Sequence, residues 1–371
     1  MATKKQKKNA PNISQGSVRR LVEKGNAILG IDIGSSTVKI VEMKKNHNFD
    51  KWIIEALPIG MINQGKIEAQ EPLAEIISDA LKRYSIKTKD VALCLSSSEL
   101  IVRELTFPEM EDEQIRENIK QEITSMLPQE HEEYFIDYKI LEYFIEAGEL
   151  EGKIRVLAVA APEQLLDNYV DTLKLAGLRV NYIDVFPNIA GKLCNLDYRK
   201  SSIKKANNIC MIDFGANKTE IVIFKDGNYY LHKSISYGGD YLTSVIAKKA
   251  DMDEIDAEDY KSQTNFFTGN PEDPVVKEVY DYFEYLVRDF ERTMEFYNNR
   301  SGEAVDRVYI MGGGSLLAGL PKYLQEQFSI EVRPAAEVFD NFKKVGAVGR
   351  HISIFSQAIG VTYREEWKYE G

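Results

Sequence analysis

Apolar residues follow two different periods along this chain, one typical of strands and one typical of helices. From residue 27, three apolar runs (AILGIDIG, STVKIVEMKK and KWIIEALP) are separated by tight polar turns. This pattern predicts an antiparallel meander of three strands. In the next segment, EPLAEIISDALKRYS, apolar residues recur at helical spacing, and DVALCLSS after it is typical of a buried strand. The order βββαβ predicts one compact α/β unit.

Residues 99–180 follow a different pattern and are predicted to form a subdomain of their own. LIVRELTFP alternates as a half-buried strand, and the helix after it carries Ile115, Ile119, Ile123 and Met126 on one stripe. Two further strands and a helix closed by Gly177 come next. The sequence thus predicts an inserted α+β subdomain, after which RVNYIDVFP and the helix NIAGKLCNL return to the first sheet.

The opening pattern recurs from residue 207, and this internal repeat is the most informative feature of the sequence. ICMIDFGANKTEIVIFKDGNYYLHKSISYG again contains a strand, an Asp-x-Gly step, a small polar turn and two more strands. The repeat aligns Ile31–Ser36 with Ile212–Asn217. Because the strands on both sides match as well, we infer the duplication of one fold unit. The predicted fold class is α/β, with two duplicated βββαβα-type halves that face a cleft.

The same patterns predict where the chain divides. We expect a disordered basic tail at 1–26, a first half at 27–206 and a second half at 207–371. The first half consists of a main part, 27–98 with 181–206, and the insertion at 99–180. The second half consists of a main part, 207–240 with 303–371, and a helical part at 241–302.

Composition limits the classes of protein to consider. The 371 residues are 44% hydrophobic and 28% charged, which is ordinary globular usage. No apolar run approaches the roughly 20 residues that a membrane span needs. Cys94, Cys194 and Cys210 lack the spacing of metal ligands. We therefore expect a soluble cytosolic protein with reduced cysteines in its core.

Charge is distributed unevenly along the chain. Residues 1–24 carry a net charge of +6 and the remainder carries −17, since the whole chain has −11. A basic tail can touch an anionic membrane surface or serve only as a solubilising terminus, and the sequence leaves both readings open. The acidic body argues against a nucleic-acid-binding protein, which would carry a basic face.

The two Asp-x-Gly hairpins suggest a phosphate site. A tip of Gly, Ser and Thr leaves backbone N–H groups unshielded, so it can present them to an anion. Lys39 lies three residues beyond Ser36 and can add a positive charge. Asp32 and Asp213 would each repel phosphate unless Mg²⁺, with its waters, lies between. One such loop is a weak signal, but two hairpins and a later glycine run in this order are a strong one.

Three motifs carry a resemblance to a known superfamily. GIDIGSSTVKI, MIDFGANKTEIVIF and VYIMGGGSLLAGLP resemble the two phosphate loops and the adenosine loop of the actin, Hsp70 and sugar kinase superfamily. LIVRELTFPEM leading into IKQEITSMLP, and the later ISYGGDYLT, are similar to the PilM family of type IV pilus assembly proteins in particular. This likeness extends over nearly all of 27–361 and implies an actin-like ATPase fold whose cleft binds ATP or ADP with Mg²⁺.

The resemblance also implies which residues form the site. The first phosphate loop comprises Gly34, Ser35, Ser36 and Thr37, with Lys39 reaching the phosphates, and the second comprises Gly215, Ala216 and Asn217. Asp32 and Asp213 belong to the magnesium shell, with water between. The adenosine loop contains Gly313, Gly314 and Ser315, and Ser315 can cap the helix that follows. Glu258 with Lys261 resembles a Glu-x-x-Lys helix that contacts ribose and adenine, although such a pair is also an ordinary surface ion pair.

The implied function is that of a cytoplasmic ATP-binding scaffold at the inner face of the cell membrane, in the machinery of twitching motility. Its implied partners are the cytoplasmic N-terminal peptide of PilN, other pilus platform proteins and the assembly motor; a homo-oligomer is compatible with this, and no nucleic acid is involved. In the family the peptide lies in a groove beside the inserted subdomain, for which the strand Leu100–Phe107 is a candidate wall. The segment FPNIAGKL offers Asn188 but no acid or Gln to orient a water, so we predict ATP binding with slow or absent turnover.

Three rival interpretations remain at this stage. A sugar or acid kinase of the same fold would need an acidic base near its substrate, and no convincing one is found. A filament-forming cell-division protein resembling FtsA usually ends in an amphipathic membrane helix, whereas GVTYREEWKYEG is too short and too polar for one. The last rival is an actin-like fold that has lost nucleotide binding, against which the intact loops argue.

Overall fold

The computed structural model describes residues 13–20, 27–44, 49–127, 133–145, 151–200, 207–337 and 346–369. The strands are β1 (Ile13–Arg20), β2 (Ile28–Ile33), β3 (Thr37–Met43), β4 (Phe49–Ala56), β5 (Ile62–Asn63), β6 (Lys66–Ile67), β7 (Asp90–Leu95), β8 (Ile101–Pro108), β9 (Tyr134–Phe144), β10 (Lys153–Pro162), β11 (Arg179–Val185), β12 (Asn208–Phe214), β13 (Thr219–Lys225), β14 (Asn228–Ile235), β15 (Arg307–Met311), β16 (Glu331–Pro334) and β17 (Tyr363–Tyr369). The helices are α1 (Gln70–Arg83), α2 (Asp112–Met126), α3 (Glu163–Leu175), α4 (Phe186–Lys200), α5 (Gly239–Ala250), α6 (Glu254–Gln263), α7 (Pro274–Ser301), α8 (Leu320–Phe328) and α9 (Ser356–Gly360).

Two five-stranded sheets with the same topology form the main body of the chain. Their strand orders are β4-β3-β2-β7-β11 and β14-β13-β12-β15-β16. In each sheet the central strand pairs antiparallel with the next strand of its hairpin and parallel with a strand that returns later. The prediction of two duplicated α/β halves is therefore confirmed.

The central strands are buried on both faces because helices cover both sides of each sheet. Every residue of β2 and β12 is buried. The long helix α7 packs an apolar stripe against the second sheet, as its periodicity predicts. The stripe includes Val279, Phe283, Leu286 and Phe290. Helix α5 was not predicted from the sequence. Among the described residues, no helix is both long enough and apolar enough to cross a lipid bilayer.

The insertion forms a second compact unit around Ser97–Asp171. Its sheet has the order β8-β10-β9, with β10 antiparallel to both neighbours. Three residues of the predicted stripe of α2, Ile115, Ile119 and Ile123, pack on this sheet and are buried. Met126, in the last turn of α2, is 47% exposed, so the stripe ends one turn earlier than predicted. The predicted bounds, 99–180, extend too far at their end, because β11 already pairs with β7 from Arg179.

The structure corrects two predictions about the ends of the chain. Residues 13–20 of the supposed disordered tail form β1, which pairs with β17, whereas 1–12 and 21–26 lie outside the described residues. Local sequence gives no sign of this pairing, because the partner strand lies near the other end of the chain. Helix α9, predicted to belong to the second half, packs on β2, β3, β7 and α4 of the first half.

Candidate functional site

Both Asp-x-Gly hairpins close with the same backbone hydrogen bond. The N–H of Gly34 donates to the carbonyl of Thr37 at 2.9 Å, and the N–H of Gly215 donates to that of Lys218 at 3.0 Å. The two glycines thus shape their own turns instead of offering these N–H groups to a ligand. These closing bonds do not use the backbone N–H groups of Ser35, Ser36, Ala216 and Asn217 at the tips of the two turns.

Asp32 and Lys39 form a buried ion pair at the base of the first hairpin. They are directly opposite each other in the β2–β3 register, and Lys39 Nζ lies 3.1 Å from Asp32 Oδ2. Burial alone would lower the pKa of Lys39, but the charge and hydrogen bond of Asp32 raise it above its ordinary value. Lys39 is therefore a fixed positive charge beside the predicted phosphate position.

Asp213 is the carboxylate of the second hairpin, and it has too little positive charge around it. It is only 5% exposed, and burial together with the charges of Glu220 and Asp32 raises its pKa to about 7. The pKa of Glu220 shifts in the opposite direction. Burial would raise this pKa, but Lys218 and His232 lower it to about 2. A divalent cation would supply the positive charge that Asp213 lacks, so the residues present fit Mg²⁺.

Asp32 and Asp213 are the residues that would hold this ion. In the described part of the chain, no group of three or more His, Cys, Asp or Glu side chains is arranged to bind a metal. Mg²⁺ keeps several waters and uses one or two carboxylates with the phosphates of its nucleotide. The two carboxylates therefore suit an ion that arrives with a nucleotide, as the resemblance implies.

A glutamine that sequence reasoning missed contacts Asp213. Gln357 Nε2 donates to Asp213 Oδ2 at 2.6 Å, and Gln357 Oε1 accepts a hydrogen bond from Cys94 Sγ at 2.8 Å. Gln357 lies on α9, 144 positions after Asp213. No motif or spacing in the sequence connects these residues.

A second missed residue, Asp240, joins the two hairpins across the cleft. Its Oδ1 accepts a hydrogen bond from Ser36 Oγ at 3.3 Å. Its backbone N–H donates to the carbonyl of Ala216 at 2.9 Å, which ties the start of α5 to the second hairpin. Burial raises the pKa of Asp240, while the bond from Ser36 lowers it in part. The motif ISYGGDYLT contains this Asp and was a signal that could have found it.

The glycine run packs directly against the second hairpin. Gly312 has φ +77°, and a Cβ atom there would lie 2.4 Å from Asp213 Oδ1, so only glycine suits this position. A Cβ at Gly313 would meet nothing within 4 Å. Gly312 directly precedes the adenosine-loop residues predicted from the sequence, so this loop begins beside the Asp213 carboxylate.

The predicted cap at Ser315 is wrong. Residues Gly313–Leu316 form a short 3-10 turn in which Ser315 Oγ donates back to the carbonyl of Gly312 at 2.7 Å. The α-helix starts later, at Leu320, after a left-handed Gly319. The remainder of the 3-10 turn and the residues up to Gly319 thus separate the serine from the helix it was expected to cap.

Glu258 and Lys261 are more than a surface ion pair. Lys261 Nζ contacts Glu258 Oε2 at 2.5 Å, Thr243 Oγ1 at 2.7 Å and the carbonyl of Gly239 at 3.2 Å. The Lys261 side chain is 13% exposed. This lysine therefore links α6 to the start of α5, beside Asp240.

Asn188 belongs to a polar cluster at the start of α4. Its Nδ2 donates to both oxygens of Asp184, at 3.0 Å and 3.1 Å, and Lys192 forms an ion pair with the same carboxylate. Sequence reasoning missed Asp184. Because this carboxylate is already held by a lysine and an amide, it is a poor candidate for a base that activates water.

Comparison with known proteins identifies a family that this chain matches. A family model described as type IV pilus assembly protein PilM matches residues 30–362. The cell division protein FtsA of Borreliella burgdorferi is 23% identical over 398 aligned positions, covering 92% of this chain and 91% of that protein. A PilM–PilN type IV pilus biogenesis complex contains a chain with a TM-score of 0.76 and 22% identity, at 90% coverage of this chain and 97% of the other. The ethanolamine utilization protein EutJ of Carboxydothermus hydrogenoformans has a TM-score of 0.55 and 13% identity, covering 95% and 91%.

Proposed function

The chain belongs to the PilM family of type IV pilus assembly proteins, and on this premise we propose that it is an ATP-binding scaffold of the pilus assembly machine. In this role it binds Mg²⁺ with ATP or ADP in the cleft between its two duplicated halves. It also binds the cytoplasmic N-terminal peptide of PilN, and it links the platform in the inner membrane to the assembly motor.

One observation carries the nucleotide part of the proposal. Ser36 of the first hairpin donates a hydrogen bond to Asp240 Oδ1 at 3.3 Å, and the N–H of Asp240 donates to the carbonyl of Ala216 on the second hairpin at 2.9 Å. Gln357, whose helix α9 packs on the first half, donates to Asp213 Oδ2 at 2.6 Å, which brings the second hairpin close to the first half. The two hairpins thus lie close together, which supports a site that holds a magnesium nucleotide from both sides.

The partner part of the proposal has separate support. A structurally similar chain was solved in a PilM–PilN complex. In the described residues of the inserted unit, β8 is an edge strand that pairs with β10 on one side. An extended peptide can add to such an edge through backbone hydrogen bonds. We therefore propose β8, which contains most of the predicted wall Leu100–Phe107, as the contact strand for PilN.

Calorimetric titration tests the nucleotide part. Mg·ATP should bind the wild-type protein, and Asp32→Ala should abolish the binding. Asp79→Ala is the matched control, because Asp79 forms an exposed ion pair on α1 and should leave binding unchanged. If Asp32→Ala does not fold, Asp32→Asn serves in its place. No binding to the wild-type protein would refute the proposal.

A second titration uses a synthetic peptide of the PilN N-terminus. The peptide should bind, and its affinity should differ between the ATP-loaded and nucleotide-free protein if the scaffold responds to nucleotide. Failure to bind with ATP, with ADP and without nucleotide would refute the partner assignment while leaving the nucleotide result intact.

A further inference from the structure

The side chain of Gln357 bridges the two duplicated halves at the candidate site. Its amide nitrogen donates to Asp213 Oδ2 on β12 of the second half, at 2.6 Å. Its amide oxygen accepts from the thiol of Cys94 on β7 of the first half, at 2.8 Å. One amide thereby joins a central strand of one sheet to the neighbour of the central strand in the other.

Chemistry fixes the direction of this amide. Burial and the surrounding carboxylates raise the pKa of Cys94 well above its ordinary value, so its thiol stays protonated and donates. An ionised carboxylate can only accept a hydrogen bond. When Asp213 is ionised, as a bound cation would make it, turning the amide of Gln357 around would set oxygen against oxygen, so the observed orientation suits the ionised carboxylate.

The backbone of Gln357 is held firmly on the first half. Helix α9 packs on β2, β3, β7 and α4. A Cβ at Gly30 of β2 would lie 1.8 Å from the carbonyl oxygen of Ala358, so the two backbones touch and only glycine fits there. A Cβ at Gly360 would likewise lie only 2.6 Å from Ile189 Cγ2, so there is little room for a side chain at that position. The first half thus positions the side-chain amide of Gln357, which donates a hydrogen bond to Asp213.

We propose that Gln357 is a positioning residue that holds the Asp213 carboxylate for a divalent cation and couples this carboxylate to the first half. The inference rests on the proposed nucleotide function, since the cation arrives with the nucleotide. A hydrogen bond from a neutral amide limits the rotation of the carboxylate and favours its ionised form. The contribution of Gln357 should therefore depend on Mg²⁺ and not on the phosphate loops alone.

The test measures nucleotide affinity with Mg²⁺ and with EDTA, in the wild-type protein and in Gln357→Met. Met has a similar length and no donor, so the fold should be retained, which thermal unfolding checks. We expect the affinity for ATP in Mg²⁺ to fall about tenfold, as for the loss of a hydrogen bond to a charged group, and the affinity in EDTA to stay unchanged. Gln325→Met on α8 removes another glutamine and should change neither affinity.

Cys94 provides a rescue test for the coupling. Cys94→Ala removes the donor to Gln357 Oε1 and should reduce the Mg²⁺-dependent gain in affinity. Cys94→Ser keeps a donor in the same place and should restore it. Equal effects of the Ala and Ser variants would refute the coupling to the first half.

The possible results separate this inference from the function on which it rests. Wild-type protein that binds no Mg·ATP refutes both. Wild-type binding together with an unchanged Mg²⁺-dependent gain in Gln357→Met refutes the role of Gln357 alone. A fall in affinity that is equal in Mg²⁺ and EDTA marks Gln357 as merely structural and also refutes the role.

Discussion

Lys39 Nζ lies 3.1 Å from Asp32 Oδ2, and the two residues are opposite each other on adjacent strands of the first hairpin. The side chains are 13% and 7% exposed, so solvent screens the pair little. The first hairpin thereby carries its own counter-charge, and a bound magnesium nucleotide would share both groups. Removing either partner leaves a buried charge unpaired, which is costly.

Asp32→Ala should destabilise the protein as well as abolish nucleotide binding. We expect the free energy of unfolding, measured in urea, to fall by about 3 kcal/mol because Lys39 is left buried and unpaired. The double variant Asp32→Ala with Lys39→Met should recover most of this stability without recovering binding. If the double variant is no more stable than the single one, the pair does not account for the loss.

Asp240→Asn should strengthen the binding of Mg·ATP. Asp240 accepts a hydrogen bond from Ser36, a residue of the predicted phosphate loop, so a bound phosphate would lie near this carboxylate. Removing the negative charge should raise the affinity several-fold at low ionic strength and less at high salt. Calorimetry at two salt concentrations measures this. A loss of affinity would instead indicate that Asp240 helps to hold the cation.

Lys261→Met should lower both stability and nucleotide affinity. The lysine contacts the carbonyl of Gly239 and the side chains of Thr243 and Glu258. Because it is largely buried, we expect the free energy of unfolding to fall by about 1–2 kcal/mol. Lys82→Met is the control, since Lys82 forms an exposed ion pair of the same spacing with Asp79 and should matter by less than about 0.5 kcal/mol. Equal effects of the two substitutions would contradict the prediction.

The pKa of Asp213 predicts how stability depends on pH. Since it is raised to about 7 in the folded protein, the folded state binds more protons than the unfolded chain between about pH 4 and pH 7. The free energy of unfolding of the nucleotide-free protein should therefore fall as the pH rises through this range. Asp213→Asn should remove the part of this slope that Asp213 contributes, as shown by urea unfolding from pH 4.5 to 8.

Glu220 does not obscure this measurement. Its pKa is lowered to about 2, so its contribution to stability is lost only as the pH falls towards that value. Because a cation favours ionised Asp213, the affinity for Mg·ATP should also rise between about pH 6 and pH 8. A wild-type pH profile as flat as that of Asp213→Asn would contradict the shifted pKa.

Turnover of ATP should be below about 1 s⁻¹, the lower limit of ordinary enzyme rates. The nearby carboxylate of Asp184 is already engaged by Lys192 and Asn188, so it is poorly suited to activate a water. Steady-state phosphate release measures the rate. The release measured with an Asp32→Ala preparation is subtracted, because it reports contaminating ATPases. A faster rate that is lost in this variant would identify a true ATPase.

Local periodicity was enough to predict most of the elements around the site. Strands β2 and β12 are continuous apolar runs ending in Asp-x-Gly, and α7 has a long stripe at helical spacing. Helix α5 escaped prediction because it starts at a glycine pair and carries a short apolar stripe. Glycine is a poor helix former, and here it allows the start of α5 to approach the second hairpin closely.

By itself the sequence determined the duplication, the two hairpins and the glycine run, because each of these is written in neighbouring residues whose spacing fixes a strand or a turn. The tertiary structure alone decided that Gln357 reaches Asp213, that Asp240 meets Ser36 and that β1 pairs with β17. These contacts join residues that are far apart in the chain. They depend on how packed elements meet, and no local pattern of apolar and polar residues records that.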